Sequence, residues 1–576
     1  MEINVQDMSL LAQANYKKVL DGRDAYRKFQ QMSMDPVKYN EELLLKILDD
    51  NRDTEYGKKY GFAGITSIKE FQASVPVSVY DDYAGYIIRE TEKDEKNLLC
   101  AYPVNHYNKS SGTMGNPKRI PMSDAAVEVS NRYTGGYMRA LLEDKLGLGW
   151  IDGKNMSVAE SVAHVNYLKN GASYGALSVQ VLLGFRDYLP LFFTSPDEAT
   201  FPNPDTNTRY LHARFGLMDK NITEGAASFC SFFLETLRYI EQKWELLVND
   251  IEKGTIDDSI RMSAEVREGL LKKIQPMPER AEELRSVFRQ GFDEPFVPKV
   301  WPNFKFLGSV ATGGFKVYAG KLREKYFGEN IHFYKVGLTA SEGTFSVPFE
   351  MDRDDSALIP DSMFYEFLPL EAENDFSKIV TMEGVETGRD YEVICTNLSG
   401  FYRYRMRDAV RITGKYNNVP TIQFLYRIDQ TVSIMGEKTT EIALRAAVEN
   451  TAKILDFELI DFSMYPDTDA IPVRYLFFME LGRLPEGLKA KEIRSVLEKE
   501  LAKANPSMGA KVKSGICGPT KLNILEPETY MLYRDLMQMK GTAVAQLKPV
   551  RVITNEFQRK FFFGLVKTTQ IHQYLV

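Results

Sequence analysis

The run Lys109-Ser110-Ser111-Gly112-Thr113-Met114-Gly115-Asn116-Pro117-Lys118 gathers hydroxyls, glycines and a closing lysine in one short stretch. Glycine lets backbone N–H groups come close to phosphate oxygens, Ser and Thr add donors, and Lys adds positive charge. Such a loop can wrap a polyphosphate. The spacing from Gly112 to Lys118 is not that of a Walker A loop, and no Ser or Thr follows the lysine. A polar turn without function draws on the same residue types.

Two more polar clusters follow. Residues 306–311 read as a strand, Thr312-Gly313-Gly314 as a tight turn, 316–326 as a helix and 332–336 as a second strand, before Thr339-Ala340-Ser341-Glu342-Gly343. A strand–helix–strand unit makes its strands parallel. Ligands bind beyond the carboxyl ends of parallel strands, so both Gly-containing turns are expected in one place. Ordinary connecting turns are the alternative. In the run 401–408, alternation predicts Arg403, Arg405 and Arg407 on one side of a strand, with Tyr402 and Tyr404 on the other. Such a ribbon could touch RNA phosphates and bases, or be a solvated strand with half-buried tyrosines. Asp408 offers acceptors only, which suits two sugar hydroxyls, although a strand-end aspartate also serves as a turn residue.

The elements that hold these clusters are partly legible. Asp35-Pro36 predicts a capped helix start, with Tyr39, Leu43, Leu44, Ile47 and Leu48 on its packing face. A long helix is expected from 224 to 252, with Phe233, Leu237, Ile240, Trp244, Leu247 and Ile251 as its stripe and Gly254 as its stop. The Pro-, Glu- and Arg-rich stretch 275–302 reads as a surface connection with one short helix around 281–289. From Arg427 the pattern changes to a helix carrying Leu444, Ala447 and Val448, strands at 457–464 and 475–481, and a helix carrying Ile493, Val496, Leu497 and Leu501. Asn505-Pro506 stops that helix. A large domain over 1–426 and a small mobile α+β domain over 427–576 are the expectation.

At 576 residues the chain has room for several domains. Its net charge of -7 gives no overall pull toward nucleic acid or an anionic membrane. The four cysteines, Cys100, Cys230, Cys395 and Cys517, form no CxxC pair and fit a reducing compartment. No secretory signal is read at residues 1–8 and no apolar run is long enough to span a bilayer, so a cytoplasmic protein is expected. The histidines His106, His164, His212, His332 and His572 are scattered, and His106 reads as structural.

Taken in order, the clusters resemble the plant acyl-acid amido synthetases, the auxin-conjugating Gretchen Hagen family, within the wider adenylate-forming group that includes firefly luciferase and acyl-CoA ligases. The family's SSGT-x-G-x-x-K loop corresponds to Ser110–Lys118, and the serine and glutamate of its second signature to Ser341-Glu342. Its aromatic EF-[IL]-P run corresponds to 364–369, YRYR-x-x-D to 402–408, DKT-x-E to 437–441, and G-x-x-x-x-Q-[YF]-K to 541–548. Met114, Arg407, Leu547 and the early Pro549 depart from the plant pattern, which implies a distant, microbial member.

The resemblance implies an α/β adenylate-forming fold and assigns roles. Ser110, Ser111, Thr113 and Lys118 would hold the outer phosphates of ATP. Gly313 and Gly314 would lie along adenine, and Phe364 or Tyr365 would stack on it. Thr339 would contact the α-phosphate, Glu342 would bind Mg²⁺, and Asp408 would take the ribose hydroxyls. Lys438 and Lys548 would serve the two half-reactions in turn. A carboxylic acid and an amino acid are the implied substrates. An acyl-CoA ligase and a non-enzymatic RNA- or partner-binding protein are the alternatives. An apolar acyl cavity is expected between residues 140 and 218, where Tyr167, Phe185, Tyr188 and Phe192 could line it or could equally be core.

Overall fold

A computed structural model describes residues 7–567 apart from 110–117, 162–163, 204, 429–433, 435–438, 541 and 543–546. Helices α1 (Leu10–Met34) and α2 (Pro36–Asp50) open the chain. Leu44, Ile47 and Leu48 are buried as the stripe predicts. Asp35 does not cap α2 through its side chain; its backbone carbonyl accepts from Tyr39 N instead.

Strands β1 (Val104–Lys109) and β2 (Arg119–Ser123) pair antiparallel, with Lys109 opposite Arg119, so the two ends of the phosphate-loop candidate meet. Strand β3 (Lys154–Val158) follows, then helix α3 (Leu177–Gly184).

The expected helix from 224 needs correction. Residues Ile222–Phe229 form strand β4, and helix α4 is Cys230–Lys253. A side chain on Gly225 would lie within 2.9 Å of the Phe233 and Phe304 rings, so small residues are needed where β4 passes between covering layers. The segment 275–302 is also more than a surface connection. It carries helix α5 (Pro278–Phe288) and buries Ala281, Leu284, Phe288, Phe296, Val300 and Trp301.

The strand–helix–strand unit is as expected, with β5 (Phe306–Val310), α6 (Lys316–Lys321) and β6 (His332–Lys335). Strands β3, β4, β5 and β6 form a parallel sheet in that order. Beside it runs an antiparallel sheet of seven strands. Its centre is β7 (Met363–Pro369), β8 (Asp390–Asn397), β9 (Tyr404–Tyr416) and β10 (Val419–Arg427).

The rest of the chain is helix α7 (Glu441–Ile454), strands β11 (Leu459–Asp467) and β12 (Arg474–Leu481), helices α8 (Ala490–Ala504) and α9 (Pro506–Lys513), strand β13 (Lys521–Ile524) and helices α10 (Thr529–Met539) and α11 (Glu556–Gly564). It has apolar clusters of its own, built on Leu444, Val448, Phe477, Leu497 and Leu501 and on Phe478, Tyr533 and Phe562.

Ion pairs cross the seam between this part and the parallel-sheet part. Arg534 pairs with Glu235, and Arg209 pairs with Asp535 at 2.7 Å. Arg238 meets Glu458 at 3.1 Å, and Gln538 donates to Glu160 at 2.6 Å. Among the described residues no helix is long and apolar enough to cross a membrane.

Candidate functional site

Strand β9 is where the site begins. Its pairing with β8 shifts between Glu392 and Ile394, which leaves a bulge opposite residues 406–408. Arg407 sits there at φ +60°, in the left-handed region that favours glycine. The bulge delivers Asp408 directly across from Arg427 on β10. Arg427 Nε donates to Asp408 Oδ1 at 3.0 Å. The carboxylate raises the Arg427 guanidinium above its ordinary value, and Asp408 is buried.

Glu342 lies in the short hairpin after β6, where Thr339 and Ala340 pair with Thr344 and Gly343. Asn397 Nδ2 donates to the Glu342 carbonyl at 3.0 Å, and Asn108 Nδ2 donates to the Ser341 carbonyl at 2.8 Å. The hairpin is thereby pinned to β8 on one side and to β1 on the other. Burial pushes the Glu342 carboxyl up; Arg427 and Lys118 pull it down, while Asp408 pushes it further up. Those mutual fields place Glu342, Asp408, Arg427 and Lys118 around one space. Lys118 follows the phosphate-loop candidate and packs over the Tyr80 ring.

Lys548 comes to the same space from the other end of the chain. Leu547 beside it packs against the core under the parallel sheet. Lys548 is an exposed residue, and the protein atoms crowded near its ammonium take away part of its hydration. That crowding lowers its ammonium below the ordinary lysine value. Arg427 acts in the same direction, and Asp408, Glu441 and Glu342 oppose. Asp408, Glu342 and Arg427 thus act on Lys548 together with Glu441, and Lys118 acts on Glu342.

Gly313 lies in the turn after β5, at φ +56°, with a Cβ position 3.4 Å from the Phe424 ring on β10. Gly314 is next to it in the same turn. This backbone runs along the strand that ends in Arg427. Thr339 is exposed at the start of the hairpin. Ser110, Ser111, Thr113 and Lys438 lie outside the described residues; Thr439 and Thr440, directly after Lys438, are described.

Two expectations do not survive. Phe364 and Tyr365 on β7 cannot stack on an adenine, because both are buried in the core. Phe364 packs edge-on to Phe71, and the Tyr365 hydroxyl donates to the carbonyls of Phe345 and Ile359. The Arg/Tyr ribbon is not a surface either. Arg403 is 6% exposed and pairs bidentately with Glu366 at 2.9 and 3.0 Å. Arg405 is 7% exposed and pairs with Glu392. Tyr402 and Tyr404 are buried.

His106 is structural, as expected. Its ring contacts Ser173 Oγ at 2.9 Å, Gln180 Nε2 at 3.0 Å and Asn108 Oδ1 at 3.1 Å, and burial lowers its pKa. These contacts tie α3 to Asn108 and hence to the Ser341 carbonyl. Around α3, Tyr167, Val181, Phe185 and Tyr188 are exposed apolar side chains rather than core.

Arg427 and Glu441 were not anticipated as site residues. A signal for Arg427 exists. Asn417-Asn418 is a two-residue turn with Asn417 at φ +50°, and Tyr416 faces Val419. Counting outward from that turn sets Asp408 opposite Arg427.

Three family signatures match the chain in succession. They are described as the GH3 family N-terminal domain over residues 25–331, the central domain over 356–427 and the C-terminal domain over 443–556. A jasmonoyl–L-amino acid synthetase of Oryza sativa subsp. japonica is 28% identical, over 92% of this chain and 94% of its own length. The solved acyl acid amido synthetase GH3.15, in complex with 2,4-DB, superposes with a TM-score of 0.81 at 26% identity, covering 95% of this chain and 97% of that one. A 2-hydroxyisobutyryl-CoA ligase in the postadenylation state shares the fold, with a TM-score of 0.50 at 15% identity.

Proposed function

The chain belongs to the GH3 family, and from that premise we propose that it is an ATP-dependent acid–amino acid ligase working through an acyl-adenylate. The Arg427–Asp408 contact, with Glu342, Lys118 and Lys548 near enough to act electrostatically on that group or on one another, carries this reading.

A carboxylate cannot acylate an amine directly, because oxide is a poor leaving group. Attack of the carboxylate oxygen on the α-phosphate of ATP forms the mixed anhydride and releases pyrophosphate. Attack of the amine on the acyl carbon then forms the amide, with AMP departing on the oxygen and the amine's surplus proton lost to solvent. The first step needs positioning and charge neutralisation. Lys118 and the hydroxyls of Ser110, Ser111 and Thr113 hold the outer phosphates. Thr339 reaches the α-phosphate, and Lys548 neutralises charge developing there. Gly313 and Gly314 lie along the base. Asp408 accepts from the ribose hydroxyls, oriented by the Arg427 guanidinium. Mg²⁺, which commonly takes one or two carboxylates plus phosphate oxygens, fits Glu342 as its protein ligand and would offset phosphate charge there. The acid lies toward α3, whose apolar residues adjoin the Asn108–Ser341 link.

We place the domain boundary at Arg427, with Lys438 taking the place of Lys548 when the smaller domain turns for the second step. Four free, buried cysteines fit a reducing cytoplasm.

A panel of carboxylic acids crossed with amino acids, read as AMP and pyrophosphate formation and as amide product, tests the activity. At least one pair is expected to give all three in equal amounts. Product with coenzyme A and with no amino acid would replace this reading by an acyl-CoA ligase.

The adenylation rate should also fall at high pH sooner than an ordinary lysine would impose. Lys548 must be charged, and its pKa is lowered, so it loses its proton at a lower pH than free lysine does. Lys548→Arg, which stays charged, is expected to move that alkaline limb upward. An unmoved limb would remove Lys548 from the step.

A further inference from the structure

Helix α6 starts just after the Gly313–Gly314 turn and grips the C-terminal part of the chain at two points. Tyr318 is buried, and its hydroxyl accepts from Arg551 Nη2 at 3.4 Å. Lys321, one helical turn on and on the same face, donates from Nζ to the Leu459 carbonyl at the start of β11. Glu458, Asp461 and Glu449 lie near enough to favour its charge. The body that α6 grips is tied together. Arg551 Nη1 donates to Asp461 Oδ1 and, at 2.8 Å, to the Phe462 carbonyl. Met464 N donates to the Arg551 carbonyl at 2.9 Å, and Ile553 N to the Met464 carbonyl at 2.8 Å. Ser463 Oγ donates to the Val550 carbonyl. Residues 550–553 are therefore fixed along β11. Lys548 stands three positions before Arg551, and Asp408, Glu342 and Arg427 act on its ammonium. Both grips of α6 thus land on the body that carries Lys548.

We propose that Tyr318 is a positioning residue for the first half-reaction. Its hydroxyl, with Lys321, holds the β11 body where Lys548 meets the fields of Asp408 and Glu342, and both contacts part before Lys438 takes that place. The proposal rests on the reading of function given above. When the hydroxyl is lost, Arg551 keeps Asp461 and the Phe462 carbonyl, which lie on its own side of the seam. The contact that Tyr318 adds therefore serves docking rather than the folding of either side. A hydrogen bond is exchanged for one to water at a small net cost, which suits a contact that breaks in every turnover.

Tyr318→Phe removes the hydroxyl and keeps the ring, which packs against Phe315. Asn330→Cys and Ser495→Cys place one spin label on each side of the seam, both positions being exposed, while the four native cysteines are buried. The distance between the labels is read by double electron–electron resonance in the full chain. The double variant Tyr318→Phe/Lys321→Met is expected to broaden the distance distribution or shift its mean relative to the parent. An unchanged distribution overturns the catch. If the double variant does not fold, Tyr318→Phe alone is labelled and decides. The two half-reactions are then separated, with the acid–amino acid pair found in the panel above. Adenylation is read as pyrophosphate release without amine, and transfer as amide formed from added acyl-adenylate. Tyr318→Phe is expected to slow adenylation about three- to ten-fold, the worth of one hydrogen bond, with transfer equal or faster. Lys321→Met should act in the same direction. Equal slowing of both half-reactions, as a general loss of structure would give, or an unchanged adenylation rate overturns the positioning role. The label distance needs no turnover. A shifted distribution in a chain that releases no pyrophosphate with any acid would sink the ligase reading and leave the catch standing.

Discussion

Lys548→Ala is expected to lower acid-dependent pyrophosphate release by about 10²–10³-fold, the usual loss when a positioned group at a developing charge is removed. The ammonium shares its space with Asp408, Glu342, Glu441 and Arg427, so its removal leaves three carboxylates facing the phosphates against fewer cations. Repulsion of the nucleotide should raise the KM for ATP as well as lower kcat. Lys438→Ala is the companion measurement. If the two lysines act in turn, it should spare pyrophosphate release and slow transfer of the acyl group to the amine, so that acyl-adenylate accumulates. Retention of both half-reactions by both variants would end the two-lysine scheme.

The second large effect is on stability. Arg403 and Glu366 are buried partners in the antiparallel sheet, with side chains 7% and 1% exposed. Arg403 also donates to the carbonyls of Gln72 and Val75. Glu366→Ala strands the guanidinium in a dry site, and breaking such a pair costs about 3–5 kcal/mol. The expected result is an earlier unfolding transition by denaturant titration, with loss of soluble protein at higher temperature. The double variant Glu366→Leu/Arg403→Met removes both charges and should recover most of that loss. A single variant as stable as the parent would mean that solvent reaches the pair after all.

The same pair explains what the sequence could and could not tell. Residues 306–336 were legible almost to the residue, because a buried strand, a glycine turn and a helix each carry a local signature. Strand β4 was not: Gly225-Ala226-Ala227 has no two-residue alternation, and the apolar period of α4 extended over it. Helix α5 was legible only in outline, since its Pro-, Glu- and Arg-rich composition hides Leu284 and Phe288 from a reading by polarity. In the run 401–408, positive φ at Arg403 and Arg407 breaks the alternation on which the surface reading stood. The partners that bury Arg403 and Arg405 lie on β7 and β8, and no local pattern points to them. Asp408 and Glu342 were singled out through motifs. Arg427 was seen only as a boundary, because its use depends on a hairpin register rather than on its neighbours in sequence.

The ionic seam has a mechanical meaning. Arg534–Glu235 and Arg209–Asp535 are groups that water welcomes when they part, whereas separated aliphatic faces would expose surface at about 25 cal/mol per Å². If the smaller domain turns as proposed, such a joint would close with a defined register, because each guanidinium fits one carboxylate, and would reopen without a large thermodynamic toll. Added salt should therefore loosen the docking of residues 427–576 long before it touches the cores on either side.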